Sequence, residues 1–192
     1  MLMTKRKIGI IVSLAAILTL SITYIIADQT IKKEISTEAE HIIFANADEA
    51  IRASDIAIEA TVLDGVKNVV EYQDGYPSGF TLRDIKVNKV LDGNKEVKKE
   101  QLAIAEPYYE VGNGVAPGTT VISYEEYTPL QPGSKYVLFL KWSDKIQAYW
   151  VNSLEQGKVN IDKKDIKELS NTKNDNQMQK LSESVLEKYG YK

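Results

Sequence analysis

The chain has 192 residues, with 27 acidic, 24 basic, one histidine and no cysteine, for a net charge of −3. The missing cysteines exclude disulfides, thiolate nucleophiles and cysteine zinc sites, and the lone His41 excludes a multi-histidine metal site within one chain. Mild acidity with scattered lysines leaves no electrostatic footprint for a phosphate backbone, so nucleic acid is not an expected partner.

In chain order, residues 1–7 form a basic segment carrying Lys5, Arg6 and Lys7. Residues 8–27 (IGIIVSLAAILTLSITYIIA) then hold no charge. Twenty helical residues span roughly 30 Å, the thickness of a bilayer's hydrocarbon core. The basic cluster before them keeps that end cytoplasmic and sends the remainder outside. Two readings follow: a single-pass anchor, or a signal peptide cleaved to release the rest. The length of the run and Ile25 at the −3 position favour the anchor. Without Lys5, Arg6 and Lys7, the exported part has 21 basic against 27 acidic residues, so it does not adhere to anionic surfaces by charge alone.

Residues 28–46 read as a connector. Thr37-Glu38-Ala39-Glu40 matches a capping box and predicts a short helix there, or else the membrane helix simply continues. Asp48–Ala53 reads as a further turn or two of helix. From Ser54 the period changes to two. SDIAIEATVL alternates, and VKNVVEY follows across Asp64-Gly65, a hairpin signal. QDGYPSG reads as a loop. In FTLRDIKVNKVLDG the apolar phase slips between Leu82 and Ile85, which predicts a bulge near Arg83-Asp84. QLAIAEP and TTVISYE are further strands. Gln131-Pro132-Gly133 predicts a turn feeding KYVLFLKW, whose continuous apolar run predicts a central strand covered on both sides. IQAYWV and GKVNI complete the set. The closely spaced turns favour an all-β barrel or sandwich. Residues 163–192 turn helical, with Met178, Leu181, Val185 and Tyr189 on one stripe and Ser170–Asn176 as a polar linker.

The order SDIAIEATVL, FTLRDIKVNKVLDG, EEYTPLQPGSKYVLFLKW, aromatic strand and GKVNID resembles a β-barrel domain of secreted or membrane-anchored proteins of Gram-positive bacteria. Its layout is similar to the OB-fold, as in the netrin-like modules of tissue metalloprotease inhibitors. The resemblance covers about residues 47–162. It implies a mainly β chain: a small OB-like barrel after an N-terminal transmembrane helix and before a C-terminal helix. Those inhibitors reach zinc through an N-terminal cysteine, which this chain lacks, so the fold carries over and that mechanism does not.

No catalytic motif stands out, and no catalytic residue, metal ligand or cofactor is assigned. The most site-like segment is residues 108–118, with three glycines and the pair Tyr108-Tyr109 in a connection longer than a barrel needs. The candidate binding residues are Tyr108, Tyr109, Glu110, Asn113 and Tyr127. With Tyr72, Tyr76, Tyr124, Tyr149 and Trp150 they suggest a groove for sugar rings or an extended peptide, against the plainer expectation that aromatics fill strands. Carboxylates at Asp84, Glu106, Glu110, Glu125 and Glu126 match no calcium loop and read mainly as solvated charge. The expected function is a non-enzymatic, membrane-anchored extracytoplasmic module binding a protein, peptide or glycan. The alternatives are a secreted regulator or inhibitor of an exoenzyme and, more remotely, a carboxylate-dependent hydrolase.

Overall fold

A computed structural model describes residues 5–93, 100–125 and 127–191. The protein is mainly β, with a sheet core and C-terminal helices. The elements are α1 (Lys5–Thr30), β1 (Lys32–Thr37), α2 (Ala47–Arg52), β2 (Ile56–Gln73), β3 (Tyr76–Gly93), β4 (Gln101–Glu106), β5 (Tyr108–Gly112), β6 (Thr119–Tyr124), β7 (Lys135–Ser143), β8 (Ala148–Val151), β9 (Lys158–Asn160), α3 (Ile166–Asn174) and α4 (Asn176–Tyr189). The chain divides into two compact units, Met1–Ile35 with Glu110–Val121, and Ser36–Tyr109 with Ile122–Lys192.

In the first unit, α1 covers the whole uncharged run 8–27. Among the described residues no helix is long and apolar enough to cross a membrane. Residues 1–4 of the expected cytoplasmic segment, and the side chains of 8–12, 14 and 15 in the expected span, lie outside the described set. The Gly118 N–H donates to Asp28 Oδ1 (2.9 Å) and the Thr119 N–H to Ile31 O (3.0 Å).

The second unit is built on a six-stranded sheet of order β2-β3-β4-β8-β7-β9, with β2 also paired to β7. Five strands thus pair in a cycle, β2–β3–β4–β8–β7–β2, in which β4–β8 is the parallel contact. A three-stranded sheet of order β1-β6-β5 completes the β structure.

The β2–β3 hairpin departs from the sequence expectation. Its turn is Asp74-Gly75, both left-handed (φ 52° and 83°), the geometry of a two-residue primed turn. Asp64-Gly65 sits inside β2 instead. The register passes from Val62↔Ile85 to Val66↔Arg83, so Leu63, Asp64 and Gly65 bulge opposite Asp84. The expected bulge is therefore present, but its extra residues lie on the partner strand. A Cβ on Gly65 would meet the Asp84 carboxylate, so a larger residue at this close approach requires that side chain to move aside. The bend lets Ile56–Thr61 pair with β7 while Thr81–Lys86 pair with β4.

Residues Tyr136–Leu140 of β7 are all buried, as the apolar run predicts. Val137 and Phe139 join Phe44, Ala47, Ala50, Leu181 and Val185 in one cluster under α2 and α4. Tyr136, Leu138 and Leu140 alternate to the opposite face. The turn before β7 forms as expected, with Gly133 at φ 78° and the Ser134 N–H donating to Gln131 O (3.1 Å). Met178, Leu181 and Val185 are the buried stripe of α4, capped by Asp175 Oδ1, which accepts the Gln177 and Met178 N–H groups. Two local expectations fail. Most of the predicted linker Ser170–Asn176 is helical, because α3 runs to Asn174 before breaking at Asp175. The capping box at Thr37 starts no helix. Thr37 is spent on strand contacts, its hydroxyl donating to Ser123 O (3.2 Å) and its carbonyl accepting the Glu125 N–H (2.9 Å). Residues 38–45 then run without regular structure.

Candidate functional site

The residues singled out by sequence do not assemble on one surface. Residues 108–118 form β5 and the turn of a hairpin that β6 completes, rather than a long loop. Asn113 closes that turn: its Oδ1 accepts the Thr120 hydroxyl (2.7 Å) and its N–H donates to Gly118 O (3.2 Å). Glu110 pairs with Lys32 at 3.4 Å, an exposed contact worth little to stability. Tyr108 and Tyr109, expected at an open site, are 5% and 4% exposed. Tyr109 donates its hydroxyl to Pro77 O (2.8 Å) and packs on Gly79. A phenol folded onto a glycine in a neighbouring strand hides its ring and still satisfies its polar tip.

Tyr108 and Tyr127 belong to a buried polar cluster centred on Glu106, which is fully buried. Its Oε1 accepts Arg83 Nε (2.9 Å), while its Oε2 accepts the Tyr127 hydroxyl (3.1 Å) and the Leu130 N–H (2.7 Å). Arg83 Nη2 donates to the Tyr108 hydroxyl (3.0 Å), and the Tyr108 and Tyr127 rings stack with centroids 6.4 Å apart. Burial raises the Glu106 carboxyl, opposed by Arg83, Leu130 and Tyr127 in turn. Burial and then Glu106 push the Tyr127 phenol well above its usual range. The ammonium of fully buried Lys158 lies over the Tyr127 ring (5.1 Å) and pairs with Glu155 (2.9 Å). Thr128 bridges the two, donating its hydroxyl to Glu155 (2.6 Å) and accepting from Lys158 (2.8 Å). Every group named in this cluster has a partner inside the protein, so the cluster braces the fold.

The open chemistry lies elsewhere, where residues 38–45 pass the corner after β8. Two cavities, of about 470 and 440 Å³, share His41, Ser153 and Leu154. The first is polar, lined among others by Glu125, Glu155, Gln156, Asn174 and Asp175. The second is apolar, with Ile42, Trp142, Trp150 and Val151 on its walls. Ser153 and Leu154 at the junction are consecutive left-handed non-glycine residues (φ 56° and 57°), a conformation that costs on the order of 1 kcal/mol or more each. Trp142 is 40% exposed, and Ile42 and Ile43 are 58% and 63% exposed. The Trp142 indole is held by its own N–H, which donates to Asp144 (2.8 Å), and by an edge contact with Tyr149 (centroids 5.0 Å). Trp150 packs on Phe80 (5.2 Å).

His41 Nδ1 lies 3.4 Å from Ala39 O, and among the described residues no hydrogen bond joins it to Ser153, so the pair is not set up as base and nucleophile. Among the described residues no group of three or more acidic or histidine side chains is placed to hold a metal ion. For the carboxylate hydrolase, Glu106 is enclosed and Glu126 lies outside the described residues. Of the groove residues, the sequence reading singles out Trp150 and Glu125, and uses His41 only to exclude a multi-histidine metal site. It passed over Trp142, Ser153, Gln156 and Asp175. One local cue existed, the Asn152-Ser153 pair between a strand and a turn, since short polar residues tolerate left-handed backbone.

The chain matches no family model and no curated protein at a significant level.

Proposed function

We propose that this protein is a membrane-anchored, extracytoplasmic binding module: an OB-like β-barrel that captures a partner in the groove between residues 40–42, Trp142 and the Ser153–Leu154 corner. The barrel reading rests on the cyclic pairing of β2, β3, β4, β8 and β7 with its parallel β4–β8 contact, a layout similar to that of OB-folds, which bind through their loops and one face. The anchor reading rests on the uncharged residues 8–27 behind Lys5-Arg6-Lys7. The observation that carries the binding function is the groove itself. An oriented, part-exposed indole, exposed Ile42 and a strained corner converge on open volume, whereas the buried polar cluster is saturated from within.

A photo-crosslinking residue in place of Ile42, in intact cells, tests both halves. The expected result is a discrete crosslinked product that Trp142→Ala abolishes, together with digestion of the folded part by protease added outside. Absence of any Trp142-dependent product overturns the groove. Protection of the folded part until the cells are lysed overturns the topology.

A further inference from the structure

The two ends of the groove differ in chemistry, and that difference selects a ligand. At the polar end, Gln156 is 7% exposed and its Oε1 accepts the Phe44 N–H (2.6 Å), which fixes the amide orientation. Its Nε2 donors therefore line the cavity, with no partner among the described residues. That donor opens to the cavity, where a ligand oxygen can meet it. Glu125 and Asp175 beside it are half committed. Glu125 Oε1 accepts the Ala39 N–H (2.9 Å) and Asp175 Oδ1 caps α4, and among the described residues neither second oxygen is bonded. The cavity thus offers donor and acceptor positions together. Glu155 is neutralised by Lys158 behind it, so the free charge facing the groove comes from Glu40, Glu125 and Asp175 against Lys141. That balance favours a cationic ligand and repels an anionic one.

At the apolar end, the Trp142 plane is locked by Asp144 and Tyr149. The strands that form this wall offer little free edge: past the last β2 pair at Leu140, the Trp142 N–H is taken by Asp55 Oδ2 (2.7 Å). β7 is paired with β2 on one side and with β8 and β9 on the other, and β8 lies between β7 and β4. An extended peptide that binds by adding a strand finds no ladder of free N–H and C=O groups there. What remains is a rigid aromatic face followed by scattered side-chain donors and acceptors, the surface that suits a sugar ring with one apolar face and hydroxyls around its edge.

We infer that the groove takes an oligosaccharide bearing free amino groups, one ring laid on Trp142 and the hydroxyl and ammonium groups of the next directed to Gln156, Glu125 and Asp175. This inference rests on the groove being the binding site proposed above.

The test is calorimetric titration of the full chain in detergent micelles with a β-1,4-linked glucosamine tetramer. The N-acetylglucosamine tetramer, the galacturonic acid tetramer and a tetralysine peptide serve as comparison ligands. The glucosamine tetramer is expected to bind saturably, more tightly than its acetylated form, while the galacturonic acid tetramer does not bind. Trp142→Ala should weaken binding by about tenfold or more, Trp142→Phe by less, and Glu125→Gln, which keeps an oxygen for the Ala39 N–H, by several-fold. A melting temperature matching the parent shows that each variant is folded. No saturable binding of the glucosamine tetramer overturns the inference, as does equal affinity for the acetylated or the acidic tetramer. Trp142-dependent binding of tetralysine at equal or higher affinity overturns the sugar while leaving the groove as the site. The groove reading itself falls when no Trp142-dependent crosslink forms at position 42.

Discussion

The Glu106 cluster and the groove both use carboxylates and aromatic rings, for opposite ends. Inside, Glu106 meets Arg83, Tyr127 and the Leu130 N–H, and its charge is spent on holding β3, β4 and the segment before β7 together. In the groove, Gln156, Glu125 and Asp175 each commit one atom to the fold and leave the other open. Burial alone therefore does not separate scaffold from site. The number of unfilled hydrogen-bonding positions does.

The contrast is broken most directly at its saturated end. Glu106→Ala leaves the Arg83 guanidinium buried without its partner, and the expected loss is about 3–5 kcal/mol. For a chain of this size that lowers the melting temperature by roughly ten degrees or more. Replacing Arg83 by Met in the same background should restore part of the loss, because no uncompensated charge then remains. Full additivity of the two substitutions in thermal melts would show that the pair is not coupled.

A second buried carboxyl sharpens the comparison, because it is neither saturated nor open. Glu168 of α3 accepts the Asn160 N–H (2.8 Å) through Oε1, while its Oε2 is buried without a hydrogen-bond partner. Burial raises it to about 8, against the pull of Lys158 and the Asn160 N–H and with a push from Glu155 and Asp165. A folded-state value above the unfolded one means that its stabilising contribution is complete below about 4.5 and is lost as pH rises through about 8. The parent should therefore lose stability relative to Glu168→Gln between pH 5 and 8, by an amount on the order of a few kcal/mol. Chemical denaturation of both proteins across that range checks it; parallel curves would contradict it.

Smaller effects follow. Tyr127→Phe removes one of three hydrogen bonds to Glu106 and should cost roughly 1–2 kcal/mol, seen as a modest drop in melting temperature. Trp142→Ala, at a part-exposed position outside the core, should change stability by about 1 kcal/mol or less.

Much of the framework was legible in the sequence. Strand alternation in SDIAIEATVL and the Met178–Leu181–Val185 stripe each report one face packed against a core, the continuous run of Tyr136–Leu140 reports burial on both faces, and periodicity records this locally. Turn placement was less legible. Asp-Gly occurs at 64–65, 74–75 and 92–93, and the dipeptide alone does not say which copy reverses the chain. Pairing of β2 with β7 and of β3 with β4 decides that, through contacts far apart in sequence. Tyr108 and Tyr109 misled for a related reason. Neighbouring glycines suggested a long connection with its tyrosines at an open site, whereas the strand ladder and the Arg83 and Pro77 contacts draw both rings inward. The groove could not be read from any one stretch, because the connector, the segments before β7 and after β8, and both C-terminal helices each supply part of it.

The central claim, that the groove and not the buried cluster is the site, is tested most directly by one paired measurement. Trp142→Ala and Tyr127→Phe are compared for crosslinking yield at position 42 and for melting temperature in the same full-length preparation. The account predicts that Trp142→Ala loses the crosslink with its melting temperature within about 3 °C of the parent, while Tyr127→Phe melts lower and keeps the crosslink. Retention of the crosslink in Trp142→Ala, or its loss in Tyr127→Phe with the fold intact, would contradict it.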